Sequence, residues 1–257
     1  MKTIHVLGTE VAATDYAHAI EWIFQRARTT TQAVAVEAAN THVITMARHD
    51  PEFKKVMDQF DLVLPDGMPL VWCLNHHLRH SPTLQLQDRV YGPTLMLKTF
   101  EASADQSDLR HFLLGGSPDM LTQLEKNLRT QFPTATIAGT YSPPFGTWPP
   151  DEFTRIQDKI SSANANLVWV GLGCPKQEIW IAQNKPQLPP AIYFGIGAAF
   201  AFHANRVPQA PTWMQKNGLE WLFRLLKEPK RLAKRYFLYN SLFLFYFLKD
   251  FLTRPVK

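Results

Sequence analysis

Residues 166–180 read NLVWVGLGCPKQEIW. Leu167, Val168, Trp169 and Val170 form a short apolar run of strand formers, Gly171 and Gly173 interrupt it, and Pro175 opens a polar, amphipathic segment. The order is strand, glycine turn, helix. Pro175 suits the first turn of a helix, where a missing N–H costs nothing, so Gly173 and Cys174 lead into free backbone donors and the positive end of a helix dipole. Such a turn can hold an anion. In an open α/β sheet ligands collect at the carboxyl ends of the strands, which places Lys176, Gln177 and Glu178 at the rim of a pocket. Close packing explains two glycines equally well, and the charged and amide groups just after them favour a site.

The same alternation extends in both directions. Residues 4–7 and 34–36 read as strands around an amphipathic helix at about 16–28, built on Ala19, Ile20, Ile23, Phe24 and Ala27. Asn40 then stands where it can cap a helix carrying Val43, Ile44, Met46 and Ala47, at the carboxyl end of a strand. The run at 61–64 stops at Pro65-Asp66-Gly67, a turn signature that projects a carboxylate at the same edge. Residues 73–91 read as a loop-rich cover holding His76, His77, His80 and Arg89. The histidines lack an adjacent thiolate or carboxylate at metal-binding spacing, and no D-x-D pair occurs, so no metal site is expected. A helix at 95–104 and a strand at 110–114 follow, ending in Gly115-Gly116-Ser117-Pro118, a second turn that offers backbone N–H groups to a phosphate or ribose. After a helix at 120–129 come a strand at 136–141, a helix at 153–160 and a last strand at 191–196. The reading is a Rossmann-like α/β fold, a mainly parallel sheet with helices on both faces.

Composition agrees with one large core. Of 257 residues 46% are hydrophobic and 19% charged, and only Cys73 and Cys174 are present, which excludes a disulfide framework and points to a reducing compartment. The N-terminus lacks a long apolar segment with a cleavage site, so a cytoplasmic location is expected. Net charge is +5, yet residues 206–257 hold 11 Lys and Arg against 3 Asp and Glu, leaving the preceding 205 residues acidic. Nucleic-acid binders more often spread such charge over the fold, so no nucleic-acid partner is expected. From Thr212 the cations Arg224, Lys227, Lys230, Arg231, Lys234 and Arg235 recur at helical spacing beside an apolar stripe of Leu232, Tyr236, Tyr239, Phe243 and Phe247. The longest unbroken apolar run, residues 242–248, is far short of the ~20 residues of a spanning helix. The division is therefore a core at 1–211 and a helical appendage at 212–257 that lies on an anionic membrane surface, its apolar stripe towards the lipid.

With these pieces in place the chain resembles the WecG/TagA/CpsF glycosyltransferases, bacterial enzymes that extend undecaprenyl-diphosphate-linked sugars. The matching blocks are Asn40 with its helix, LVLPDGMPLVW (62–72), DRVYGPTLM (88–96), FLLGGSP (112–118), VGLGCPKQEIWI (170–181) and APTWMQKNGLEWLFRLLKEPKRLAKR (210–235). The resemblance implies a UDP-sugar donor, a lipid-linked sugar acceptor, inverting single displacement of a hexose or N-acetylhexosamine-type sugar, no cofactor and no essential metal. It places the enzyme on the inner face of the plasma membrane and leaves homo-oligomerisation open. By the same resemblance Asp66 deprotonates the acceptor hydroxyl with Asn40 beside it, Arg89 and Gln177 line the donor–acceptor pocket, and Arg224, Arg231 and Lys234 close over the leaving diphosphate. Gly115, Gly116, Gly171, Gly173 and Glu178 join them as substrate contacts from the turn readings above.

The chain departs from the family pattern at three places. Ala38 stands where a Thr is common, and FAFHAN replaces F-D-F-x-A-G, with Ala201 and Asn205 in place of Asp and Gly. Lys234 replaces an arginine, keeping charge without the bidentate fork. The competing reading, a Rossmann-type oxidoreductase, asks for GxGxxG after the first strand and an acidic ribose-binding residue further on; HVLGTEV supplies neither. A non-enzymatic membrane adaptor would need no edge of the kind formed by Asn40, Asp66, Arg89 and Gln177.

Overall fold

The computed structural model describes residues 1–253, apart from the side chains of residues 231, 235 and 251–253. The chain opens with a hairpin, β1 (Lys2–Val6) antiparallel to β2 (Thr9–Ala13). This corrects the expectation that residues 4–7 begin the parallel series. Val6 pairs with Thr9, so Leu7 and Gly8 alone make the turn, at φ 50° and 88°. Two successive positive φ values give the tight turn whose twist matches paired strands, and Gly8 adopts it without Cβ strain. Val6, Leu7 and Val11 pack from the hairpin into a cluster with Ala39, Val43 and Val63.

From there strand and helix alternate: α1 (Tyr16–Thr29), β3 (Val34–Ala39), α2 (Thr41–His49), α3 (Pro51–Met57), β4 (Leu62–Pro65), α4 (Met68–His77), α5 (Gly92–Ala102), β5 (Arg110–Gly115), α6 (Pro118–Gln131), β6 (Thr136–Tyr141), α7 (Glu152–Ser162), β7 (Leu167–Gly171), α8 (Lys176–Asn184), β8 (Ile192–Gly195), α9 (Gly197–His203), α10 (Thr212–Lys216), α11 (Glu220–Lys227) and α12 (Pro229–Thr253). Strands β3 to β8 form one parallel sheet in the order β4-β3-β8-β7-β5-β6. The loop-rich cover expected over 73–91 starts later than its sequence suggests, because the apolar run Leu70, Val71 and Leu74 carries α4 through His76 and His77.

Period-two alternation puts both sheet faces in apolar contact. On one face Val34, Val36, Ala38, Leu167, Trp169, Ile192 and Phe194 pack against α1, α5, α6 and α9. On the other, Ala35, Val168, Val170 and Tyr193 pack against α7 and α8 through Ile156, Ile160, Trp180 and Ile181. A buried polar chain crosses the first face. Trp169 Nε1 donates to His111 Nδ1 at 3.0 Å, His111 Nε2 meets Ser103 Oγ at 2.8 Å, and that hydroxyl donates to the Phe100 carbonyl at 3.0 Å. Burial holds the His111 imidazole neutral, its pKa pushed down to about 3.

The C-terminal helices fold back on the body. Leu232 and Phe243 are buried, Tyr239 meets the His42 ring edge-on at 4.4 Å, and Phe247 packs with them against the α2 side of the structure. The stripe expected to face lipid is therefore an internal surface, because α2 and the hairpin leave an apolar groove that these rings fill. Phe237, Leu238, Leu244, Phe245 and Leu248 are exposed instead. No helix among the described residues is long and apolar enough to cross a membrane.

Candidate active site

A cavity of about 490 Å³ opens at the carboxyl ends of β3, β4, β7 and β8, with α11 and α12 forming its far wall. That volume lies within the range of small-molecule sites, ~300–1,000 Å³. Asn40, Asp66, Gly173 and Gly197 reach it from the four successive strand ends.

Asn40 caps α2, its Oδ1 accepting from His42 N at 3.0 Å and Val43 N at 3.3 Å. Asp66 follows β4 in the expected turn, and Oδ1 accepts the N–H of Gly92 at 2.6 Å. The turn and the cap are neighbours: a methyl on Gly67 would come within 4.0 Å of Asn40 Cβ. Burial raises the Asp66 carboxyl to about 6, against the pull of Arg89, the Gly92 hydrogen bond and Arg224. A carboxylate so poised is suited to take a proton near neutral pH.

Arg89 is not presented to the cavity as a free cation. Its Nη2 donates to Glu220 Oε2 at 2.6 Å and to Gln215 Oε1 at 3.3 Å, and its guanidinium lies 4.1 Å from the centroid of the Tyr91 ring. The Tyr91 hydroxyl donates to the other Glu220 oxygen at 2.6 Å. All three residues are buried. The arginine thus ties the loop before α5 to α11 while its charge acts on Asp66. Arg224, one helical turn beyond Glu220, lines the cavity with its Cζ 5.6 Å from the Phe202 ring centroid, and its Nε is buried without a hydrogen-bond partner among the described residues. The Lys234 side chain is exposed and away from the cavity lining, and the Arg231 side chain lies outside the described residues.

The turn at 171–175 holds a side chain where the sequence suggested an anion. Gln177, 4% exposed, turns its Oε1 back to accept from Gly173 N at 3.1 Å and Gly197 N at 2.9 Å, and its Nε2 donates to Glu178 Oε1 at 2.9 Å. The amide cross-links the loops after β7 and β8. Of the five glycine and acidic positions expected from the turns, Gly173 and Glu178 line the cavity with Gln177, whereas Gly115, Gly116 and Gly171 lie off it. Gly115 and Gly171 make close approaches instead: a methyl at Gly115 would fall 2.7 Å from the Gly171 carbonyl, and one at Gly171 would fall 2.5 Å from the Phe200 ring.

Glu37, Tyr91 and Glu220 line the cavity without having been singled out from sequence. A signal existed for Glu37, the one charged residue in VAVEAA, where every side chain is buried. The departures also fall at the site. Ala38 and Ala201 line the cavity, while Asn205 adopts φ 56°, a left-handed conformation that asparagine tolerates best after glycine.

An α/β sheet whose strand ends gather an elevated carboxylate, a buried amide and two arginines at one pocket is the frame of a group-transfer enzyme acting on a polar substrate. The sequence profile of the glycosyl transferase WecG/TagA/CpsF family matches residues 4–257, and the chain belongs to that family. It is accordingly a glycosyltransferase.

Proposed function

We propose that the enzyme transfers a hexose or N-acetylhexosamine-type sugar from UDP to a hydroxyl of an undecaprenyl-diphosphate-linked sugar, by one inverting displacement, in surface polysaccharide synthesis. The observation that carries this reading is Asp66: a carboxylate at the strand ends, held by the Gly92 N–H and raised to about 6. In this role it removes the acceptor proton as the hydroxyl attacks the sugar's anomeric carbon and UDP departs. Arg224, reaching the same cavity from α11, meets the charge that develops on the diphosphate, with Arg231 as its proposed partner and Arg89 setting the field at the base. Residues 1–211 then supply the donor pocket, and residues 212–257 complete it.

The C-terminal helix also carries the proposed membrane contact. Phe237, Leu238, Leu244, Phe245 and Leu248 are exposed, and at 3.6 residues per turn they fall within an arc of about 120° that also takes in Lys230 and Lys234. This face is opposite the stripe packed on α2, and an exposed apolar row flanked by cations suits an anionic bilayer surface on the cytoplasmic side. The lipid-linked acceptor would meet the site there.

The decisive experiment is transfer from UDP-sugars to a synthetic lipid-diphosphate-sugar by wild type and Asp66→Asn. General-base removal should lower turnover about 10²–10⁴-fold while thermal stabilisation by UDP persists. A variant retaining more than half the wild-type turnover would sink the assignment.

A further inference from the structure

Strand β3 places Glu37 on the sheet face that otherwise carries Ala35 and Ala39, and its side chain is 1% exposed. There its carboxyl meets that of Glu178, fully buried in the first turn of α8. Oε2 of each residue is buried with no hydrogen-bond partner among the described residues. The space is reserved for this contact. Gly195 stands opposite Glu37 in register, and a methyl there would collide with Glu37 Oε2. Two ionised carboxylates cannot share such a site at neutral pH, whereas a proton between them satisfies the orphaned oxygens.

The neighbours fix where that proton is not. Gln177 faces two backbone donors with its Oε1, so its Nε2 must donate, and Glu178 Oε1 is the acceptor it finds. Glu178 Oε1 therefore stays unprotonated. The other titratable groups facing the pair are Asp66, whose charge disfavours ionisation of Glu37, and Cys174, hydrogen-bonded to Glu178, with His42 of α2 behind the thiol at 3.7 Å. Burial and the partner's charge push Glu37 upward, and burial does the same to Glu178.

We propose that Glu37 and Glu178 hold a single proton between them, and that this pair is the positioning device of the cavity floor, locking the Gln177 amide and through it the loops after β7 and β8. The inference rests on the function proposed above only in calling those loops the walls of the donor pocket. None of its tests requires a nucleotide, so the two readings can fail separately.

At neutral pH the infrared spectrum of wild type should contain the carbonyl band of a buried, protonated carboxylic acid. Glu37→Gln and Glu178→Gln should each abolish it, because one amide then donates permanently to one carboxylate. Stability carries a second readout. An acid whose folded pKa is raised contributes stability that is full below its unfolded value and lost as pH rises through the folded one. Glu37→Gln removes that loss, so its melting temperature relative to wild type should be higher at pH 8 than at pH 5, by about 2–4 °C. Amide exchange reports the positioning itself: at Gly173 and Gly197 it should quicken about tenfold in Glu178→Ala, the equivalent of one hydrogen bond, and return to the wild-type rate in Glu178→Gln. Absence of the band in wild type, a Glu37→Gln melting difference that does not change between pH 5 and 8, or unchanged exchange in Glu178→Ala would overturn the proposal.

Discussion

Asp66 gathers opposed influences on one carboxyl: burial and the Glu220 charge raise it, while Arg89, the Gly92 N–H and Arg224 lower it. Burial wins, and the group titrates at about 6. If Asp66 is the base, kcat/KM should fall about tenfold per pH unit below 6 and level off above it. Replacing Arg224 with Met removes a cation that favours the ionised form, so the acid limb should move to higher pH. A profile flat from pH 5 to 8 would remove Asp66 from the role. The fold bears the cost of this poise. Because the folded value lies above the ordinary 3.8, stability from Asp66 is full below pH 3.8 and lost as pH rises through 6. Asp66→Asn should therefore melt above wild type at pH 8, as residues kept for chemistry often do when replaced. Asp66 and Asn40 were readable from sequence because turn and cap chemistry is local: Pro-Asp-Gly and a cap before an apolar helix need no knowledge of distant residues. Arg89 was readable as important but not in its bonding, since Glu220 lies 131 residues away.

Among the elements, β7 and β5 show what apolar patterning reveals and what it hides. Their runs LVWVG and RHFLLG mark strands, and their packing on both faces follows from alternation. The bond between Trp169 and His111 cannot be read from either run, because it depends on β5 pairing with β7 in a register that sets His111 opposite Leu167. The chain joins two strands to α5 through Ser103, and each member is buried. His111→Leu should orphan the indole N–H, at about 1–3 kcal/mol, and leave the Ser103 hydroxyl only its bond to the Phe100 carbonyl, seen as a lower urea midpoint with transfer activity per folded molecule retained. The wild-type imidazole titrates at about 3 when folded, below the ordinary 6.5, so its contribution to stability is present above pH 6.5 and declines as pH falls towards 3. A variant as stable as wild type would show that the hydrogen-bonded chain contributes nothing. The hairpin at β1 and β2 was misread for a related reason: residues 4–7 have strand composition, and only the pairing across Leu7 and Gly8 distinguishes a hairpin from the first parallel strand.

At the scale of the whole molecule, two contacts among the described residues do most to hold α10 to α12 on the body. One is the buried clasp of Glu220 with Arg89 and Tyr91; the other is the ring stripe laid on α2. Glu220→Ala leaves Arg89 buried without its counter-charge, a loss of about 3–5 kcal/mol, and hydrogen exchange should rise across α11 and α12 before it rises in the sheet. Arg89→Met with Glu220→Leu removes both charges and should recover most of that protection; exchange confined to wild-type levels in Glu220→Ala would show that the stripe alone secures the helices. The cationic and aromatic character of residues 212–257 was plain from sequence, but which ring faced inward was not, because α12 has apolar residues on two faces and only the groove beside α2 chooses between them. That choice separates anchoring from site completion in a way truncation cannot, since deleting these residues would also expose Val43 and strand Arg89. Phe237→Ser with Phe245→Ser alters only exposed positions. The variant should keep the wild-type melting temperature and full activity on a short, water-soluble acceptor, yet bind phosphatidylglycerol vesicles weakly and lose turnover on acceptor embedded in them. Raised salt should weaken the residual binding further, because the remaining attraction comes from lysines at about 1 kcal/mol each that ions screen. Unchanged vesicle binding by the double variant would refute this face as the membrane contact, and a matching loss on soluble acceptor would show that the outer face serves the site itself.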